Sequence, residues 1–185
     1  MTIPSIGHNQ GPPLEAGRSW RRHLWARAKT EQLPRLGIET VRRHVRRAAQ
    51  LGLTYPQYAS IRVGTGRDVR ALLFSAAALG WRGGALPAPA VRRIEEIEDA
   101  DALLLARLRN HQPGAPVRSG PIRFAAAGPP PKAIGEARAA VRAVLDPLAL
   151  PGDAVVMIGD HPAQAIWADQ ARLARFIPAE AWARD

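Results

Sequence analysis

Apolar positions recur in two rhythms along this chain, and the rhythm changes near residue 70. Upstream they return every three to four residues, as one face of a helix requires. Ser19 is placed to cap a helix running to about Leu33, with Trp20, Leu24, Trp25 and Ala28 on its apolar side, and Pro34 and Gly37 break it. A second helix is predicted from about Ile38 to Leu51, with Val41, Val45, Ala48 and Ala49 inward and Arg42, Arg43, Arg46 and Arg47 outward. Gly52 suits the left-handed position that ends it. Thr54 then caps a third helix over Tyr55–Val63, with Tyr58 and Ile61 facing the core and Gly64 as the stop.

Downstream, short continuous apolar runs alternate with helical segments. The stretch "RDVRALLFSAAALGW" fits a helix through Val69, Leu72, Leu73 and Ala76, and fits a buried strand through Ala71–Ser75. The alternation on its C-terminal side favours the strand. A helix from about Pro89 to Glu98 leads to the apolar run "DALLLARL", and after a loop come a helix over 133–146, the strand "AVVMI", a helix over 163–174 and the short "RFIPAE". Strand alternating with helix predicts a small Rossmann-like parallel α/β layer. Residues 110–131 hold six prolines and three glycines and read as a loop. The expected organisation is a flexible arm over 1–17, a basic trihelical, helix-turn-helix-like module over 18–67 and a small α/β domain over 68–185.

Charge adds a second division. The net charge is +10, and residues 1–70 carry 13 Arg or Lys against 4 Asp or Glu, while 71–185 carry 13 against 12. Such asymmetry predicts a polyanion-facing module joined to a neutral one. Within the module, "RRAAQLGLTYPQYASIRVG" has helix-turn-helix punctuation, with Ala48 at the crossing, Gly52 in the turn and Leu53 beneath it. The third helix would offer Tyr55, Gln57, Ser60 and Arg62 to a groove, while Arg42, Arg43, Arg46 and Arg47 meet phosphates. Arg18, Arg21, Arg22 and Arg27 would extend this surface. The same pattern occurs in ordinary helical hairpins, and an Arg-rich helix also docks acidic proteins. Nucleic acid is the expected partner, DNA ahead of RNA. An acidic protein or a homodimer is the alternative.

There is no cysteine, so disulfides, thiolate metal sites and a cysteine nucleophile are excluded. The opening residues lack signal-peptide order, and the longest apolar stretch, eleven residues, is too short to span a bilayer. A cytoplasmic protein with no membrane partner is expected. His111 and His161 are too isolated for a metal site, and His23 and His44 read as helix-surface residues. No cofactor is expected.

Two resemblances bear on function. The opening Ile6–Leu14, "IGHNQGPPL", with "GRSWRRHLWARA" and "LGLTYPQYASIRVGTGRDVRALLFS", resembles an uncharacterised alphaproteobacterial family, which implies no activity. From Val69 onward the order of parts resembles haloacid-dehalogenase-type phosphatases. That likeness would match Lys132, Gly159 and Asp160 to the family's lysine and Gly-Asp strand. It puts Ser75 where the family has its aspartyl nucleophile and Ala77 where it has its acid/base. Ala106 or Arg107 falls at the expected Ser or Thr, and Gln164 and Ala165 follow Asp160 where a further acid is expected. Without the aspartate there is no covalent step, and one carboxylate holds Mg²⁺ poorly. The domain therefore reads as non-enzymatic, whether a degenerate hydrolase or a generic α/β layer in which Asp160 caps the helix starting near Pro162, with a haloacid-dehalogenase-like phosphatase as the second alternative after a protein-binding adaptor.

Overall fold

A computed structural model describes residues 37–82, 85–106, 121–122, 124–127 and 134–182. The arm over 1–17, the helix expected over 19–33, His23, His111, Arg107 and Lys132 lie outside these residues. The strands are β1 (Ala71–Ser75), β2 (Asp101–Ala106), β3 (Phe124–Ala127), β4 (Val155–Gly159) and β5 (Arg175–Pro178). The helices are α1 (Ile38–Gln50), α2 (Tyr55–Thr65), α3 (Ala88–Glu95), α4 (Ile134–Leu145), α5 (Ala163–Gln170) and α6 (Ala179–Trp182). The five strands form one parallel sheet in the order β3-β2-β1-β4-β5. The fold is α/β, with a Rossmann-like parallel layer.

The two central strands, β1 and β4, are buried at every position, as expected of parallel strands covered on both faces. Alternate side chains divide between two cores. Ala71, Leu73, Leu103 and Val155 pack against Val141, Val144 and Leu145 of α4. Leu72, Phe74, Leu104, Val156 and Ile158 face the other way and share a core with Ala48, Leu51, Leu53, Tyr58 and Ile61, with Ile94 of α3 and with Trp182 of α6. The boundary expected between residues 67 and 68 therefore does not separate two cores. Helices α1 and α2 form one layer of the α/β domain, because the sheet face they cover would otherwise meet water.

Local chemistry sets the ends of these helices. Gly52, at φ 63°, closes α1 with a Schellman pair, Leu53 N–H to Ala48 C=O and Gly52 N–H to Ala49 C=O. Thr54 and Gln57 form a reciprocal capping box at the start of α2. That helix passes through Gly64 and ends two residues later than expected, with Gly66 in the left-handed conformation donating to Arg62 C=O. Helix α5 stops at Gln170 rather than 174, where Arg172 turns left-handed and Leu173 N–H returns to Ala168 C=O. The loop expected over 110–131 contains β3. Its Ala-rich sequence carries little strand propensity of its own, and pairing with Leu103–Ala106 supplies what the residues lack.

The shared core has a direct consequence. Each of Leu51, Leu53, Tyr58 and Ile61 contributes about 1.5–3 kcal/mol of burial, and together these are comparable to a whole domain's stability. A fragment starting at residue 68 is expected to lack cooperative unfolding and to bind a hydrophobic dye. A sharp urea transition in that fragment would refute the shared core.

Candidate functional site: an arginine-lined depression on the first two helices

Helix α1 turns one face to the sheet and another to solvent, and its arginines divide between them. Arg42, Arg43 and Arg46 are exposed. Arg47 is not outward as expected, since its side chain is only 14% exposed. Its Nε donates to Asp68 at 3.2 Å, and its two terminal nitrogens donate to Glu98 C=O at 2.9 Å, Val69 C=O at 3.0 Å and Asp99 C=O at 3.1 Å. The planar fork thus ties α1 to the entry of β1 and to the turn before β2. It holds the fold together and has little left for a ligand.

The apolar side of α1 is also rotated from the expected one. Val45 is 48% exposed and Ala49 is exposed, while Ala48 and Leu51 are buried and His44 and Arg47 half-buried. His44 stands four residues before Ala48, on the same helical face, and that spacing was the available signal for it. Its ring meets Tyr58 edge-on, with centroids 5.5 Å apart. Burial, with Arg62 and Arg43 nearby, holds its pKa below the ordinary histidine value against the pull of Asp68. Its Nδ1 is buried without a hydrogen-bond partner.

These groups surround an open depression of about 340 Å³. Arg43, His44, Arg46, Arg47 and Gln50 of α1 line it, with Tyr58 and Arg62 of α2 and Asp68 beyond. Asp68 is satisfied from within the fold. It accepts from Arg47, from the Tyr58 hydroxyl at 2.8 Å and from the Val69 N–H at 2.8 Å. Burial, then the bond to this carboxylate, pushes the Tyr58 pKa up to about 12. With Arg47 and Asp68 offsetting each other, Arg43, Arg46 and Arg62 leave the depression electropositive.

The expected reading face of α2 is disposed otherwise. The Gln57 amide is held in the capping box, accepting from Thr54 N–H at 2.8 Å, and its nitrogen donates to Ala181 C=O at 3.5 Å. Ser60 donates to Gln57 C=O and accepts from Arg175 of β5. Tyr55 is half-buried. The C-terminal strand and helix therefore engage the side that a recognition helix would turn to a groove. Of the expected contact residues, the structure gathers Arg43, Arg46, Arg47 and Arg62 around one depression and leaves Arg42 exposed on the same helix. Tyr55, Gln57 and Ser60 are not in that lining.

A second polar cluster lies where the strand order changes direction, at the carboxyl ends of β1 and β4, the usual ligand position in such sheets. Ser75 donates to Asp160 at 2.7 Å and accepts from Ala78 N–H, and Gln164 donates to the same carboxylate oxygen at 3.2 Å. Burial would raise the Asp160 pKa. Hydrogen bonds from Ser75, its own backbone and Gln164, with His161 nearby, outweigh it and hold the carboxyl below its ordinary value. Asp160 does not cap α5, since the His161 ring accepts from Ala163 N–H instead. These residues do not fit a magnesium ion. One carboxylate, already receiving two side-chain donors on a single oxygen, faces a serine and an amide, and no group of three metal-binding side chains occurs among the described residues.

No protein-family model, curated protein or solved structure matches the chain. Among the described residues no helix is long and apolar enough to cross a membrane.

Two stability measurements test this geometry. Arg47→Gln is expected to cost about 2 kcal/mol in urea unfolding, because it removes charge-assisted hydrogen bonds to one carboxylate and three backbone carbonyls. Arg46→Gln should cost almost nothing, and equal losses would refute the clamp. Tyr58 binds its proton more tightly folded than unfolded, so its contribution is complete below pH 10 and disappears as pH rises through about 12. Tyr58→Phe should flatten the alkaline limb of the stability profile over that window, and an unchanged limb would argue against the Asp68 hydrogen bond.

Proposed function

We propose that the protein binds duplex nucleic acid through its phosphate backbone and acts without catalysing a reaction. The observation that carries this is the exposure of Arg42, Arg43 and Arg46 on one helix, with Arg62 across the depression from them. Guanidinium groups in this arrangement pair with phosphates, which position a protein without reading sequence. Backbone contact is favoured over base readout because Gln57 and Ser60 are held by the C-terminal segment. DNA is favoured over single-stranded RNA by the aromatic side chains. Tyr55, Tyr58, Trp81, Trp167, Phe176 and Trp182 are buried or half-buried, so the described residues offer little to stack on bases. Val45 and Val63, both exposed on these two helices, favour a second reading, an adaptor that docks an acidic protein.

The test is binding of the full chain to random duplex DNA across a salt series. About four neutralised phosphates would make log K fall with log salt at a slope of about −3.6. The double variant Arg43→Gln, Arg46→Gln should make that slope shallower by about 1.8 and weaken every sequence alike. No binding to duplex at low salt, together with saturable binding to one acidic protein, would establish the adaptor reading instead.

A further inference from the structure

Two features of the depression are not required by a merely basic surface. The imidazole of His44 sits inside it, and the buried Nδ1 of that ring has no partner in the fold. The surrounding charges come from three elements. Arg43, Arg46 and Arg47 stand on α1, Tyr58 and Arg62 on α2, and Asp68 in the segment before β1. Asp68, which accepts from Arg47, Tyr58 and the Val69 backbone, is outnumbered in this lining by Arg43, Arg46 and Arg62. Burial first, then Arg62 and Arg43, holds the His44 pKa below its ordinary value against the pull of Asp68.

We propose that this depression is a binding site for one tetrahedral oxyanion, a phosphate group, engaged by Arg43, Arg46 and Arg62, and that His44 takes up a proton as the anion seats. The physical step is charge compensation. A dianion among the three guanidinium groups cancels the field that disfavours the imidazolium. By linkage, a site that gains a proton on binding holds its anion more tightly as pH falls, at most about tenfold per pH unit for one proton. The inference rests on the reading of α1 as a phosphate-facing helix, and assigns that face one specific seat and a pH response.

The probe is sulfate, whose charge is constant between pH 5.5 and 8, titrated into the full chain at fixed ionic strength. The His44 ring signal is followed by NMR and assigned by its loss in His44→Gln. Sulfate should raise the midpoint of His44 titration and bind several-fold more tightly at pH 5.5 than at 8. Arg62→Gln should weaken sulfate several-fold while raising the His44 midpoint in the free protein. His44→Gln should still bind sulfate, with the pH dependence gone. A His44 midpoint that sulfate does not move, or sulfate affinity indifferent to Arg62→Gln, would overturn the proposal. Duplex DNA binding measured alongside separates the two claims. Duplex binding without a sulfate effect on His44 overturns the anion seat alone, and a sulfate seat without duplex binding overturns the nucleic-acid reading alone.

Discussion

A parallel sheet carries apolar side chains on both faces, and neither face can be left to water. In this protein Leu72, Phe74, Leu104, Val156 and Ile158 project to one side, and the chain has α1, α2, α3 and α6 to cover them. Burial there draws Tyr58 and Ile61 inward and fixes the rotation of both basic helices. The positions of the arginines follow from this. Once Ala48 and Leu51 are set into the core, Arg47 must lie along the seam, and Arg42, Arg43 and Arg46 must lie outside it.

Arg47 shows how the same charge serves two ends. A guanidinium at the seam would be costly if unpaired, and the fold supplies it with one carboxylate and three carbonyls. Those carbonyls belong to Val69 at the entry of β1 and to Glu98 and Asp99 in the turn before β2. One turn earlier on the helix the same residue type is solvated. The fold thus divides a single run of arginines according to which side of the seam each occupies.

The switch-point cluster is the counterpart on the other end of the sheet. Ser75 and Asp160 come from adjacent central strands and close on each other at 2.7 Å, with Gln164 across them. A hydrogen bond of that kind stitches β1 to the start of α5 where the sheet order would otherwise leave a crevice. The donors hold the carboxyl below its ordinary value against the effect of burial.

Much of the architecture could be read from the residues alone. The run Ala71–Ser75 is a strand because a short continuous apolar segment suits a site covered on both faces, and Gly52 and Thr54 mark helix ends through backbone geometry that is local to them. Strand β3 escaped because four residues rich in alanine acquire strand character only from a neighbour. The boundary near residue 67 was misplaced because composition changes there while packing does not. Tertiary structure alone decided the fates of individual polar residues. Periodicity says which residues share a helix face, but the rotation of that face depends on what it packs against. So the presence of four arginines in α1 was determined by sequence. The choice of Arg47 as clamp, His44 as a half-buried ring and Gln57 and Ser60 as anchors for the C-terminal segment was made by partners as much as 124 residues away in the chain.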